Sequence, residues 1–190
     1  MAKAVRYHKQ GGPEVLQLDE VQVGEPAQGQ VRVKHTAIGV NFVDTYQRSG
    51  LYPMQLPAVG GNEAAGVVDA VGPGVKDLKK GDRVAYTGLP GSYCDMRLVP
   101  ADRMVKIPKG ISDEQAASMM LKGMTVHYLI FSTYKAKKGE KAHGDGTVWH
   151  DAEGRYGYSI TATCTPADGP IKSIVIDPDM IIIRGGTQPQ

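Results

Sequence analysis

Alternation of hydrophobic and polar residues along the first hundred positions predicts a series of short β-strands. Lys3–His8 and Val15–Val21 alternate on either side of a Gly-Gly-Pro sequence at residues 11–13, which predicts a β-hairpin. Gln30–Ala37 places valines on one face and basic residues on the other, so one face of this strand should be buried. Further strands are predicted at Ala64–Val71, Asp82–Thr87, Ser92–Val99 and Met104–Ile107.

Two segments have the pattern of helices. Phe42–Arg48 predicts a short helix that ends at a Ser-Gly pair. Ser112 and Gln115 have the spacing of a capping box before an apolar run, which predicts a helix, or two helices broken near Gly123, up to about Tyr134. The methionines of this segment are expected to fill the core rather than to form a binding surface. They are Met119, Met120 and Met124.

The last fifty residues have a different pattern, typical of antiparallel β structure. The predicted strands are Thr147–Trp149, Tyr158–Cys164, Ile171–Ile176 and Met180–Arg184. The β-α-β alternation of a dinucleotide-binding domain does not occur in this segment. Such a domain also needs a glycine-rich turn at the start of a helix, and the run Gly139–Trp149 does not have that spacing or a following apolar helix. The sequence therefore predicts no complete Rossmann domain.

Composition limits the classes of function. The 190 residues can form one sizeable domain, or one domain with a small appendage. The net charge of +2 suggests neither nucleic acid nor an anionic membrane as a partner. No window has the roughly 18 continuous apolar residues of a membrane span, and the N-terminus lacks a signal-peptide core, so a cytoplasmic location is expected. Cys94 and Cys164 are expected to be unrelated free thiols.

Ile38–Tyr52 and Gly60–Val68 carry a family resemblance. Both are similar to the substrate domain of medium-chain reductases, whose zinc-dependent members have a cysteine at the position of Asn41 and a histidine at that of Asn62. An amide oxygen is a poor zinc ligand beside thiolate or imidazole, so no metal is expected. The segment therefore resembles the zinc-free, zeta-crystallin-like NADPH:quinone oxidoreductases. The resemblance covers about residues 1–140, whereas 141–190 resemble no known family.

The resemblance implies a mainly β fold, a GroES-like partly open barrel with short helices and a linking helix. It implies a substrate domain at 1–140, whereas the alternating pattern of 141–190 predicts a separate β-rich tail. The implied chemistry is hydride transfer from NADPH to a quinone-like small molecule without a metal. The implied catalytic residues are Asn41, Tyr46, Arg48 and Tyr52, and the implied cofactor-binding residues are Asn41, Lys122 and Thr125.

All of these residues except Thr125 also have a purely structural interpretation. Asn41 can cap the helix that follows it, Tyr46 and Tyr52 can pack as aromatic rings, Arg48 can be a solvated helix end, and Lys122 can be a surface charge. Two acidic residues of the motifs are expected to be structural hydrogen-bond partners. They are Asp44 and Glu63.

Two interpretations of the whole chain remain beside an active reductase. Without a dinucleotide-binding domain, NADPH binding is doubtful and the chain is expected to be inactive alone. It can instead be a non-catalytic GroES-like domain, or a fusion or truncation product that acts through association, for example as a homodimer.

Overall fold

The computed structural model describes residues 1–128 and 132, together with the backbone of four strands between residues 141 and 185. The chain divides into two compact units, Met1–Val126 and His127–Gln190. The strands of the first unit are β1 (Ala2–Tyr7), β2 (Leu16–Val21), β3 (Gln30–Gly39), β4 (Ala58–Val59), β5 (Glu63–Val71), β6 (Arg83–Thr87), β7 (Met96–Pro100) and β8 (Val105–Lys106). The helices are α1 (Phe42–Ser49) and α2 (Asp113–His127).

Two antiparallel sheets form the first unit. The larger has the strand order β7-β3-β5-β6-β8 and the smaller has the order β2-β1-β4. Together they form the mainly β, partly open barrel expected from the sequence. Valines dominate the main core because alternate residues of each strand point to the same face. Its buried members are Val31, Val33, Ala64, Val68, Leu78, Val84, Tyr86 and Val99.

Several local predictions are confirmed. Strands β1 and β2 form the predicted antiparallel hairpin, with Ala2 opposite Val21. Gly50 ends α1 in the left-handed conformation, with a φ of 93°, which glycine adopts without steric cost. The capping box at the start of α2 is formed, because the Gln115 N–H donates to Ser112 Oγ at 3.1 Å and the Ser112 N–H donates to Gln115 Oε1 at 2.9 Å.

Helix α2 passes through Gly123 as one helix, which decides between the two alternatives that the sequence left open. One prediction about this helix needs correction. Met119 and Met124 are 51% and 59% exposed, so the prediction that they fill the core is wrong. The buried face of α2 consists of small residues, Ala116 and Ala117, against which Met120 packs.

The predicted strand Ser92–Val99 begins later in the structure, at Met96 of β7. The first residues of the predicted strand form a turn instead, in which the Tyr93 N–H donates to the Gly60 carbonyl at 2.8 Å. The Ser92 hydroxyl accepts the N–H of Glu63 at 3.2 Å. Tertiary hydrogen bonds therefore replace the regular strand pairing that the alternation alone predicts.

The second unit contains a four-stranded antiparallel sheet of order β12-β11-β10-β9. Its strands are β9 (Lys141–His150), β10 (Tyr156–Thr165), β11 (Lys172–Asp177) and β12 (Met180–Gly185). They confirm the predicted β-rich tail, and every pairing between them is antiparallel, unlike that of a Rossmann domain. The side chain of Cys164 and the predicted helix end near Tyr134 lie outside the described residues.

Candidate active site

Asn41 lies at the start of α1, where β3 ends, and is only 8% exposed. Its backbone N–H donates to Asp44 Oδ2 at 2.8 Å, which confirms its predicted place at the helix cap. Its side-chain Nδ2 donates to Glu63 Oε2 at 2.8 Å, and its Oδ1 accepts a hydrogen bond from Lys122 Nζ at 2.9 Å. A carboxylate only accepts and an ammonium only donates, so these partners fix the orientation of the amide.

Glu63 links three segments of the first unit and is completely buried. Besides Asn41, its carboxylate accepts the backbone N–H of Leu121 in α2 at 2.8 Å. Lys122 Nζ lies 3.9 Å from Glu63 Oε2, the oxygen that accepts from Asn41, which is beyond hydrogen-bond distance. A buried carboxylate needs such partners, because removing a charge from water without compensation is costly. Glu63 therefore holds α2 against the start of α1.

The close approach of α2 depends on Gly39, the last residue of β3. A Cβ at this position would overlap the Ala117 carbonyl oxygen of α2 and would lie 2.8 Å from Glu63 Oε2. A residue larger than glycine would push α2 away from the Glu63 carboxylate.

Asp44 is a second buried carboxylate, 6% exposed, with a similar set of donors. Its Oδ1 accepts from Asn62 Nδ2 at 2.7 Å, and its Oδ2 accepts from the Tyr93 hydroxyl at 2.7 Å. Burial, together with this hydrogen bond to Asp44, raises the pKa of Tyr93, so the phenol stays a neutral donor. Asn62 also donates to Gln47 Oε1 at 2.8 Å. The structural roles predicted for Asp44 and Glu63 are confirmed.

Each of the two asparagines thus donates a hydrogen bond to one of the two buried carboxylates. Asn41 donates to Glu63 and Asn62 donates to Asp44, so both amides supply hydrogen-bond donors at positions where metal enzymes supply ligands. Within the described part of the chain, no group of three or more His, Cys, Asp or Glu side chains could hold a metal ion.

The aromatic candidates form a separate contact. The rings of Tyr46 and Tyr52 meet edge to face, with centroids 5.6 Å apart and planes at 70°. Both rings are half-buried, in agreement with the aromatic-packing interpretation. Arg48 is not a solvated helix end, because its Nε donates to the Gly11 carbonyl at 3.3 Å and ties α1 to the β1–β2 turn.

Of the predicted cofactor residues, Lys122 is brought into direct contact with Asn41 although 81 positions separate them in sequence. Its side chain is still 56% exposed, so the ammonium lies at the surface of the site. Thr125 donates its hydroxyl proton to the Leu121 carbonyl at 2.8 Å, which leaves its oxygen lone pairs available. The functions proposed for all these residues stay predictions.

Sequence reasoning missed two features of the site, the link through Glu63 and the Tyr93 hydroxyl on Asp44. A signal for the first exists in the sequence. Glu63 directly precedes the apolar and small residues of β5, and a carboxylate inside a buried strand requires donors. Nothing in the sequence identifies Tyr93 as the donor to Asp44.

Comparison with known proteins agrees with this geometry. Residues 27–109 match the alcohol dehydrogenase GroES-like domain. Quinone oxidoreductase 1 of Escherichia coli is 46% identical over 184 residues, which cover 91% of this chain and 56% of that protein. The 2-haloacrylate reductase of a Burkholderia species is 46% identical over 166 residues, which cover 83% of this chain and 48% of that protein.

A solved structure of Escherichia coli quinone oxidoreductase complexed with NADPH superimposes with a TM-score of 0.69 at 49% identity. The match covers 71% of this chain and 42% of that structure's chain. The chain spans about half the length of the curated relatives it matches. These matches show that the chain carries the GroES-like domain of the medium-chain reductases. Within that class, this domain belongs to the quinone oxidoreductase family.

Proposed function

We propose that residues 1–140 form the acceptor-binding domain of an NADPH-dependent quinone oxidoreductase that works without a metal. The contact of Asn41 with Glu63 and Lys122 carries this proposal. It fixes an amide and an exposed ammonium side by side, where the sequence resemblance implies that nicotinamide and acceptor meet. Orientation of donor and acceptor is the main contribution that a protein can make to hydride transfer.

The described residues fit one end of NADPH. After its contact with Glu63, the Asn41 amide keeps one N–H, and Thr125 keeps its oxygen lone pairs. These groups suit the donor and acceptor atoms of a nicotinamide carboxamide. When bound, NADPH would supply the hydride, while Asn41, Thr125 and Lys122 would orient the ring.

The phosphates and adenosine of NADPH have no counterpart among the described residues. The strands at 141–185 form an antiparallel sheet, and their sequence contains no glycine-rich turn before a helix. Loss of those contacts removes much of the binding energy of a dinucleotide. We therefore propose that residues 1–190 bind NADPH weakly and do not catalyse quinone reduction alone.

Calorimetric titration of the 190-residue chain with NADPH tests this part, with full-length Escherichia coli quinone oxidoreductase as the positive control. We expect no saturable binding by the chain and clear binding by the control. A dissociation constant in the low micromolar range, or quinone-dependent NADPH oxidation by the chain, would show that the tail does complete a cofactor site.

Acceptor binding is tested separately by NMR titration with duroquinone, a methylated quinone that resists addition of thiols. Binding at the proposed site should shift the amide signals of Asn41, Tyr46 and Tyr52. Lys109→Met, which changes an exposed lysine outside the site, is the matched control and should leave the titration unchanged. Saturation of other signals alone would favour the alternative, a GroES-like domain that acts only through association.

A conjugated carboxylic acid is a second candidate acceptor. The supporting observation is the exposed ammonium of Lys122 beside Asn41, because a cation favours an anionic substrate. The similarity to a 2-haloacrylate reductase also favours an anionic acceptor. Repeating the NMR titration with 2-chloroacrylate compares the two acceptor classes at the same signals.

A further inference from the structure

We propose that the Lys122 ammonium is the oxyanion-binding group of the site, which receives the negative charge that develops on the acceptor's carbonyl oxygen. This inference rests on the proposed function, because it assigns a catalytic role to one residue of the proposed acceptor site. It goes beyond the resemblance, which implies only a cofactor-binding position for Lys122.

The geometry leaves the Lys122 ammonium with unused donors. One of its three N–H groups donates to Asn41 Oδ1 at 2.9 Å. The side chain is 56% exposed, so the remaining two N–H groups can reach a ligand in the open site.

Lys122 also forms an ion pair with the buried Glu63, but neutralising Glu63 accounts for only part of its geometry. The short contact of Lys122 is with the neutral amide of Asn41, and its distance of 3.9 Å from Glu63 exceeds a hydrogen bond. The Glu63 oxygens already accept the N–H groups of Asn41 and Leu121. Glu63 and Asn41 therefore act as positioning residues, which hold the Lys122 ammonium at the surface of the site.

The surroundings of Asn41 suit a ring-shaped acceptor. Its neighbours in sequence, Val40 and Phe42, are 74% and 54% exposed. Apolar side chains beside fixed polar groups are typical of sites that bind small, mostly apolar ligands and orient them through a few polar atoms. A quinone has this composition, since its carbonyl oxygens project from an apolar ring.

The reaction itself requires stabilisation of an anion. When hydride is transferred to a conjugated carbonyl acceptor, a new C–H bond forms and an electron pair of the π system moves onto the carbonyl oxygen. Bound NADPH would supply the hydride and leave as NADP⁺, and the acceptor would become an oxyanion. An ammonium fixed in advance stabilises that charge, and it can then give the oxygen a proton that water replaces.

The test uses 4-nitrophenol, whose phenolate is a stable mimic of this oxyanion and absorbs visible light. The 190-residue chain is titrated with the probe below and above the probe's own pKa, and NMR locates binding through the Asn41 amide. We expect the phenolate to bind about tenfold more tightly than the phenol, so that binding lowers the probe's pKa by about one unit.

Three variants separate charge from packing. Lys122→Met should abolish the preference for phenolate, Lys122→Arg should restore most of it, and Lys109→Met should leave it intact. Persistence of the preference in Lys122→Met, or no preference in the unmodified chain, would overturn the role of Lys122 while the acceptor site stands. Failure of both forms of the probe to bind near Asn41 would overturn the proposed acceptor site itself, and this inference with it.

Discussion

At the scale of single residues, the site depends on pairing between amides and carboxylates. Glu63 and Asp44 are buried, and a buried carboxylate without donors would destabilise the fold strongly. Asn41 and Asn62 supply those donors as neutral amides, and at Glu63 the Lys122 ammonium adds a positive charge 3.9 Å from Oε2. The same amides that cannot bind zinc well therefore have a structural use, which the sequence resemblance alone does not show.

The contribution of Asp44 can be measured by its removal. Asp44→Ala leaves the donors of Asn41, Asn62 and Tyr93 without their acceptor. Each buried donor left unpaired costs about 1–3 kcal/mol, so we expect the free energy of unfolding to fall by about 3 kcal/mol or more. Urea denaturation followed by circular dichroism gives this value. Tyr93→Phe, which removes only one donor, should cost about 1 kcal/mol; equal losses in the two variants would contradict this account.

His35 is a half-buried titratable residue outside the proposed site. Its Nδ1 donates to the Cys94 carbonyl at 2.7 Å, so in the neutral ring Nε2 accepts from the Tyr86 hydroxyl at 2.9 Å. Burial lowers the pKa of His35, an effect that Arg97 reinforces and that Asp95 and the Cys94 carbonyl oppose. Burial also raises the pKa of Tyr86 to about 12, so its hydroxyl remains a donor.

The sign of the resulting pH dependence follows from linkage. Because the pKa of His35 is lower in the folded than in the unfolded chain, the unfolded chain binds the extra proton first as pH falls. The free energy of unfolding should therefore decrease as pH falls below about 6.5, the ordinary value for histidine, and level off below the folded pKa. Thermal unfolding between roughly pH 7 and 5 measures this slope, which His35→Gln should reduce. An unchanged slope would assign the effect to other groups.

At the scale of elements, the sequence predicts those features that depend on neighbouring residues. The hairpin β1–β2, the end of α1 at Gly50 and the Ser112–Gln115 cap all follow from local chemistry. The late start of β7 could not be predicted, because Tyr93 and Ser92 bond to residues about thirty positions away. The contact between Lys122 and Asn41 has the same long-range character, so the sequence left its surface-charge alternative open.

Helix α2 offers a direct test of its close packing. Gly39→Ala would push a methyl group into the Ala117 carbonyl, so we expect α2 to move away from Glu63 and stability to fall by about 1–3 kcal/mol. Hydrogen exchange of the Leu121 amide should then accelerate. Gly123→Ala is the matched control, because a Cβ there meets no described atom within 4 Å and a helix-interior glycine costs about 0.5–1 kcal/mol relative to alanine. This control should be stabilised, whereas similar effects at both positions would refute the packing account.

At the scale of the whole molecule, several apolar side chains of α2, and that of Tyr128 directly after it, remain exposed. Met119, Met124, Val126 and Tyr128 are each at least 50% exposed. No helix among the described residues is long and apolar enough to cross a membrane. Exposed apolar surface of this kind favours association. The apolar residues 129–131 follow in sequence and lie outside the described part of the chain.

We expect this surface to make the chain associate or to bind a hydrophobic dye. Sedimentation of the full chain should show dimers at micromolar concentration, or else the dye anilinonaphthalene sulfonate should bind. The double substitution Met119→Gln and Met124→Gln places polar groups at exposed positions and should weaken both effects with little loss of stability, because neither side chain is buried. A full chain that is monomeric and binds no dye would exclude this form of association.

The division into units predicts that the barrel folds without the tail. Residues 1–126 contain three buried clusters formed from their own strands and helices, including the Val31–Val99 core and the Tyr7 cluster. A chain that ends at residue 140 should therefore unfold cooperatively in urea, and its Asp44→Ala variant should lose the same free energy as the full-length variant. Precipitation of the shortened chain would have a simple cause in the exposed apolar surface of α2. The shortened chain should therefore also be made with Met119→Gln and Met124→Gln. If that form also lacks a cooperative transition, the barrel depends on residues beyond 140, and the proposed boundary is wrong.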